Sequence, residues 1–211
     1  MKKTITLILI SIALAFASFG NSKDYYINKG TEYILQVNKK IADSTAQEIS
    51  SILWEQSLKH NLDYHFVLGI ITTESRFNIN AKSYCGAIGL MQIMPRTAQY
   101  IAKKYKIEYD ENLYDVETNI KIGIAYLSHL KKKFNNYELV AAGYNGGTGG
   151  AIRYKEYLFG KRKQNEIPGQ TLAYVPKVMG YTLDFKKTTK YEKIWRLFKS
   201  WRKLWWSLYL S

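Results

Sequence analysis

Residues 67–97 read V-L-G-I-I-T-T-E-S-R-F-N-I-N-A-K-S-Y-C-G-A-I-G-L-M-Q-I-M-P-R-T, and how this stretch divides decides the fold. Val67, Ile70 and Ile71 stand at i, i+3 and i+4, the apolar face of a helix. The next position of that series is Glu74. Asp63 can cap the start of the helix, and Asn78, Asn80 and the glycines beyond end it just past Glu74. A carboxylate therefore closes an apolar stripe. Burial disfavours its charged form, and the partial negative charge of a helix C-terminus acts in the same direction. Such a group can hold a proton near neutral pH and give it to a leaving oxygen. The alternative is a Glu74 that turns to solvent or pairs with Arg76. Periodicity does not separate the two.

The second half of the stretch is small, tight and apolar, with one amide. Gly86 and Gly89 permit backbone geometries that a side chain would block. Gln92 offers a donor and an acceptor. Pro95 suits the first turn of a helix over Arg96–Lys104. Taken together, E-S-x-F at 74–77 and S-x-x-G-A-x-G-L-M-Q-I-M-P-x-T-A at 83–98 resemble the soluble lytic transglycosylase (SLT) family. Gly143-Tyr144-Asn145-Gly146-Gly147 is similar to the family's A-Y-N-A-G. Ile167–Val175 is similar to its last motif, with Gln170 where Glu normally precedes Thr.

The resemblance spans about Gln47–Asp184. It implies a mainly α, goose-type lysozyme-like α+β domain with little or no sheet, acting on bacterial peptidoglycan. It implies Glu74 as the catalytic residue, and Ser83, Met91, Gln92, Tyr144, Asn145 and Tyr174 as substrate-binding residues. Gln92 and Asn145 would hydrogen-bond N-acetyl or hydroxyl groups, and Met91 and Tyr144 would wall the sugar faces. Ser83 would bond Glu74 or an acetamide, and Tyr174 would bring a hydroxyl near the acid. Read without the family, Tyr144-Asn145 is a helix C-cap and Tyr174 a core aromatic.

Glycosidases usually need two carboxyls. Asp110, Glu111, Asp115 and Glu117 are the candidates for a second, and none lies in a comparable motif. The resemblance implies one Glu serving twice, with the muramic 6-hydroxyl as an intramolecular nucleophile of high effective concentration. Two other classes stay open: a hydrolytic lysozyme on the same fold, and a non-catalytic envelope or membrane-binding protein.

A chain of 211 residues, 46% of them hydrophobic, can bury one good core and carry appendages. Its net charge of +14 fits an anionic partner. No nucleic-acid motif accompanies the charge, so no nucleic-acid partner is expected. Residues 1–17 read as a signal peptide: Lys2 and Lys3, an apolar run from Ile5 to Phe16, then Ala15-Phe16-Ala17. The expected location is the periplasm or envelope. Residues 18–44 form an arm or helix and 45–185 the SLT domain. The single Cys85 excludes an intramolecular disulfide. His60, His65 and His129 lack zinc-ligand spacing, so neither metal nor cofactor is expected.

Thr45, with Glu48 at the capping-box position, marks a helix start before Ile49, Ile52 and Leu53. Ile120, Gly123, Ile124, Leu127, Leu130 and Phe134 line a longer helix. Gly123 costs that helix about 1 kcal/mol against Ala, which a close helix contact would explain. Lys131–Lys133 read as a solvated face at its end. Tyr137–Tyr144 reads as a short helix stopped by the glycines after Asn145. In residues 186–211, Ile194, Leu197, Phe198, Trp201, Leu204, Trp205 and Leu208 follow helical spacing with lysines and arginines elsewhere around the helix. This basic, Trp-rich amphipathic tail suits peripheral membrane contact. Packing on its own domain, or on a partner such as secretion machinery, is the alternative.

Overall fold

The computed structural model describes residues 23–209, with side chains through residue 189. The signal peptide expected at 1–17 lies outside the described residues, as do the tail side chains that carry the amphipathic reading. Residues 23–37 are helical (α1). Six α-helices follow: α2 Asp43–Lys59, α3 Tyr64–Glu74, α4 Pro95–Tyr105, α5 Val116–Phe134, α6 Tyr137–Leu158 and α7 Gly169–Tyr209. A 3-10 turn, Gln164–Glu166, precedes α7. Extended pairing among the described residues amounts to isolated bridges, Lys82 with Ile88 and Ile88 with Ile93. The mainly α, near-sheetless architecture is the one expected.

α3 lies at the centre of the core. Phe66, Val67, Leu68, Ile70 and Ile71 are all fully buried. A helix apolar on every side belongs inside, not on a surface. The stripe of three residues read from the sequence was therefore too narrow. Val175, Val178 and Phe185 of α7 join the same core. α1 belongs to the domain as well. Ser50 Oγ donates to the Ile27 carbonyl at 2.7 Å, and Tyr33 and Thr72 share a hydroxyl contact of 3.0 Å.

Three boundaries differ from expectation. α2 begins at Asp43 after Ala42, with no side-chain cap, so Thr45 lies inside the first turn. The Asp43 carboxylate at that end favours the earlier start. α6 does not stop at Tyr144. It runs to Leu158 through a break at Gly147, whose φ of 66° and ψ of −175° no helix residue adopts. Glycine tolerates that geometry, so the chain bends there and resumes. α7 joins the last motif to the tail in one helix of 41 residues. Beyond 185 it still packs on the domain: Lys186 pairs with Asp63, and Thr189 Oγ1 lies 3.1 Å from His65 Nε2.

Candidate active site

α3 delivers Glu74, and its two ends explain where. Asp63 Oδ1 accepts the His65 N–H at 2.9 Å and caps the start. After Glu74 the chain turns sharply: Arg76 and Phe77 take φ of 52° and 60°, and Phe77 is driven back into the core. Glu74 is thus the last helical residue, partly covered. Tyr174, on the first turns of α7, donates its hydroxyl to Glu74 Oε1 at 2.6 Å. Burial pushes the Glu74 acid up to about 7, while the Tyr174 hydrogen bond and the Lys177 charge pull against that rise. The Tyr174 and Tyr144 hydroxyls are both held well above their ordinary range, first by burial and then by the Glu74 charge.

The segment after α3 is a small hairpin built almost wholly from backbone and amide bonds. Ser83 N–H donates to the Ala87 carbonyl at 2.9 Å, and Ala87 N–H donates back to Ser83 Oγ at 2.9 Å. Ser83 was expected at Glu74 or the substrate; its Oγ accepts within this turn, and among the described residues it makes no hydrogen bond to Glu74. Gln92 takes a φ of 48°. Its Nε2 donates to the carbonyls of Gly89 at 3.0 Å and Ala81 at 3.2 Å. Both amide hydrogens are thereby committed to the loop, and Oε1 is what Gln92 can offer a ligand.

Met91 corrects the sequence reading. It is fully buried, so it does not wall a sugar face. A Cβ built on Gly123 would lie 2.3 Å from Met91 Sδ, so Gly123 exists to receive this side chain. The close contact inferred from that glycine is with the hairpin, not with another helix. Met91 carries the site from beneath, because its carbonyl accepts the Tyr144 hydroxyl at 2.8 Å. Tyr144 in turn lies against Tyr126, with ring centroids 5.4 Å apart. Asn145 Oδ1 accepts the buried Thr171 hydroxyl at 3.0 Å, which ties α6 to the start of α7 and leaves the Asn145 amide hydrogens for a ligand.

Glu74, Tyr174 and Tyr144 therefore meet at one place, with the Gln92 hairpin and Asn145 held around it. The candidate second carboxylates do other work. Asp115 caps α5 by accepting the Thr118 N–H at 2.8 Å, and Glu117 pairs with Lys121 at 2.7 Å. Asp110 accepts the Asn112 N–H at 3.1 Å, and Glu111 accepts from Gln99 at 3.5 Å. The groups that act on the acidity of Glu74 are Tyr174 and Lys177, with no carboxylate among them.

Three contributors were not read from the sequence: Asn119, Thr171 and Lys177. Asn119 is buried on α5, accepts the Met91 N–H at 2.8 Å, and donates to the carbonyls of Leu113 at 2.7 Å and Ile88 at 3.0 Å. Its signal was present: an amide one turn before Gly123, on the same apolar face. Thr171 and Lys177 carry no such mark, because their neighbours come from distant helices.

The chain is similar to proteins already known. The transglycosylase SLT domain matches residues 51–167. A membrane-bound lytic murein transglycosylase E from Buchnera aphidicola subsp. Acyrthosiphon pisum is 33% identical over 159 residues, covering 68% of this chain and 69% of that one. The 70 kDa soluble lytic transglycosylase SLT70 from Escherichia coli has a similar fold, with a TM-score of 0.61 at 27% identity over 79% of this chain and 29% of that one. An inactive Glu-to-Gln mutant of the lytic transglycosylase Slt from Pseudomonas aeruginosa matches with a TM-score of 0.58 at 27% identity, covering 66% of this chain and 24% of that one. The chain spans between 19% and 34% of the length of other curated relatives that it matches.

Proposed function

Because the chain belongs to the transglycosylase SLT domain family, we propose that it is a lytic transglycosylase of the bacterial cell wall. The bond cut is the β-1,4 link between N-acetylmuramic acid and N-acetylglucosamine, and Glu74 is the single acid–base group. The observation that carries this reading is a partly covered Glu74 whose pKa burial raises to about 7, with a tyrosine hydroxyl at 2.6 Å and no carboxylate acting on it. The inactive Glu-to-Gln mutant of the Pseudomonas relative supports it.

In this mechanism Glu74, protonated, gives its proton to the glycosidic oxygen as the bond to C1 breaks. The substrate's 2-acetamido group stabilises the positive centre. Glu74, now a carboxylate, takes the proton of the muramic 6-hydroxyl, which attacks C1. A 1,6-anhydro ring closes, no water is consumed, and Glu74 ends protonated. The attacking oxygen belongs to the substrate, so a second protein carboxylate is unnecessary. Tyr174 steadies the anionic half of the cycle. Gln92 Oε1 and the Asn145 amide hydrogens are placed to bind acetamide or hydroxyl groups. The work is done in the cell envelope, with the leader at 1–17 for export and the basic tail for contact with a membrane surface or secretion machinery.

Mass spectrometry of muropeptides released from purified sacculi tests the chemistry. Anhydro-muramic ends are expected. Reducing ends alone would make the protein a hydrolytic lysozyme. Replacing Tyr174 by Phe removes the hydrogen bond to the carboxylate, a charge-assisted contact whose loss lowers the rate about ten- to a hundredfold. It also lets the Glu74 acid rise further, so the descending limb of the pH–rate profile moves to higher pH. A rate loss with an unmoved profile would assign Tyr174 to substrate contact.

A further inference from the structure

We propose that the end of the domain opposite Glu74 is a contact face for anionic phospholipid headgroups, built from lysines at the close of three helices. Glu74 is the last residue of α3 and Asp63 its cap, so α3, with 11 residues, separates the two ends by about 16 Å. At the Asp63 end several helix termini converge. Lys131 Nζ, in the last turn of α5, donates to the Asn61 carbonyl and stands 5.2 Å above the Tyr137 ring. Asp63 N–H donates to the Tyr137 hydroxyl at 2.8 Å, which brings the start of α6 to the same place. Tyr105 of α4 bonds His129 of α5 at 3.2 Å. The last turns of α2, α4 and α5 thereby gather Lys59, Lys104, Lys131, Lys132 and Lys133 on one end.

The charge of this patch is not balanced locally. None of the five lysines has a carboxylate partner among the described residues. Of the carboxylates at this end, Asp63 is engaged by Lys186 and His65, and Glu138 stands in the first turn of α6. The field of the lysines reaches both histidines. Burial and then Lys59 and Lys132 lower the pKa of His60; burial and then Lys104, Lys133 and Lys132 lower that of His129. One lysine, Lys132, acts on both, so α2 and α5 present a single positive surface.

Two features favour a lipid surface over a soluble polyanion. The amines are interleaved with rings: Lys104 stands 5.3 Å above Tyr100 and Lys132 5.8 Å above Tyr105. Paired amines and amphipathic aromatics suit the headgroup level of a bilayer. α7 also passes this end at Lys186 and Thr189 and continues to Tyr209 through a basic, Trp-rich sequence. A domain resting on this face would hold Glu74 away from the membrane and towards the wall. The inference does not depend on the chemistry at Glu74.

Co-sedimentation of the full chain with vesicles tests it, without substrate. Phosphatidylcholine vesicles with and without 30% phosphatidylglycerol are compared, the fraction being a choice of about that size to give a strong surface potential. The quadruple variant Lys59→Gln, Lys104→Gln, Lys132→Gln, Lys133→Gln changes exposed side chains. A lysine at an anionic leaflet contributes about fivefold, so binding to the anionic vesicles is expected to fall at least tenfold. A control of equal charge, Lys39→Gln, Lys40→Gln, Lys82→Gln, Lys121→Gln, alters the other end and should lose less than about threefold. Thermal melting checks that both variants fold. Equal losses in the two variants, no loss in the first, or a loss seen on heparin or DNA but not on vesicles would each overturn the proposal.

Discussion

Glu74→Gln abolishes wall cleavage, with loss of roughly a thousandfold or more, while the protein keeps its fold. The size follows from the double duty assigned to this side chain. An enzyme with two carboxyls loses one half of its acid–base chemistry when one is amidated. Here an amide can neither give the first proton nor take the second. Release of soluble muropeptides from purified sacculi measures the loss. An amide variant that cuts at the parental rate removes Glu74 from the mechanism and leaves the fold without an identified acid.

The same substitution has a second, opposite effect. Folded Glu74 keeps its proton to about pH 7, whereas the unfolded side chain releases it near 4.5. Below 4.5 both states are protonated and the group is neutral to stability. As pH rises from 4.5 to about 7 the unfolded state sheds the proton first, and the folded protein loses stability by linkage. Above 7 the loss is constant, at about 3 kcal/mol. Glutamine does not titrate. The variant should melt several degrees above the parent at pH 8 and level with it at pH 4. Activity of the parent runs parallel to its protonation, falling as pH climbs through about 7. A melting difference that does not change with pH would place Glu74 in ordinary solvent.

What the sequence disclosed depended on how far each partner lay along the chain. The Asp63 cap and the end of α3 at Glu74 are local events, governed by a few neighbouring residues, and both were legible. So was the strain that Gly123 signalled. Its recipient was not, because Met91 reaches it from a hairpin outside α5. The expectation for Met91 failed for a related reason. A methionine in a glycine-rich motif reads equally as wall or as core, and only the packing of α5 shows which. The glycines after Asn145 read as a stop. A single positive φ at Gly147 lets the chain bend and remain helical on both sides, a choice made by what the second half packs against. The meeting of Tyr174 with Glu74, a hundred positions apart, came from family resemblance; helical spacing alone read Tyr174 as core.

Asn119 is the least conspicuous residue on which the site depends, and Asn119→Leu should cost the protein more stability than any other single change among the site residues. Leucine has nearly the same volume, so the substitution leaves no large void. It leaves three buried backbone groups without partners: the Met91 N–H and the carbonyls of Ile88 and Leu113. Each unpaired group costs about 1–3 kcal/mol. A total of roughly 3–9 kcal/mol rivals the whole stability of many domains, and the melting temperature should drop by about 10 °C or more. Below that temperature activity should still be poor, because the hairpin that holds Gln92 and accepts the Tyr144 hydroxyl has lost its anchor. Asn119→Asp separates hydrogen bonding from shape. The acid fits the same space and keeps an acceptor for Met91, yet turns a second oxygen towards two carbonyls. If shape were what mattered, the aspartate variant would melt like the parent. If the amide's donors matter, it melts nearly as early as the leucine variant, and it recovers part of the difference at low pH, where the carboxyl regains one hydrogen to donate.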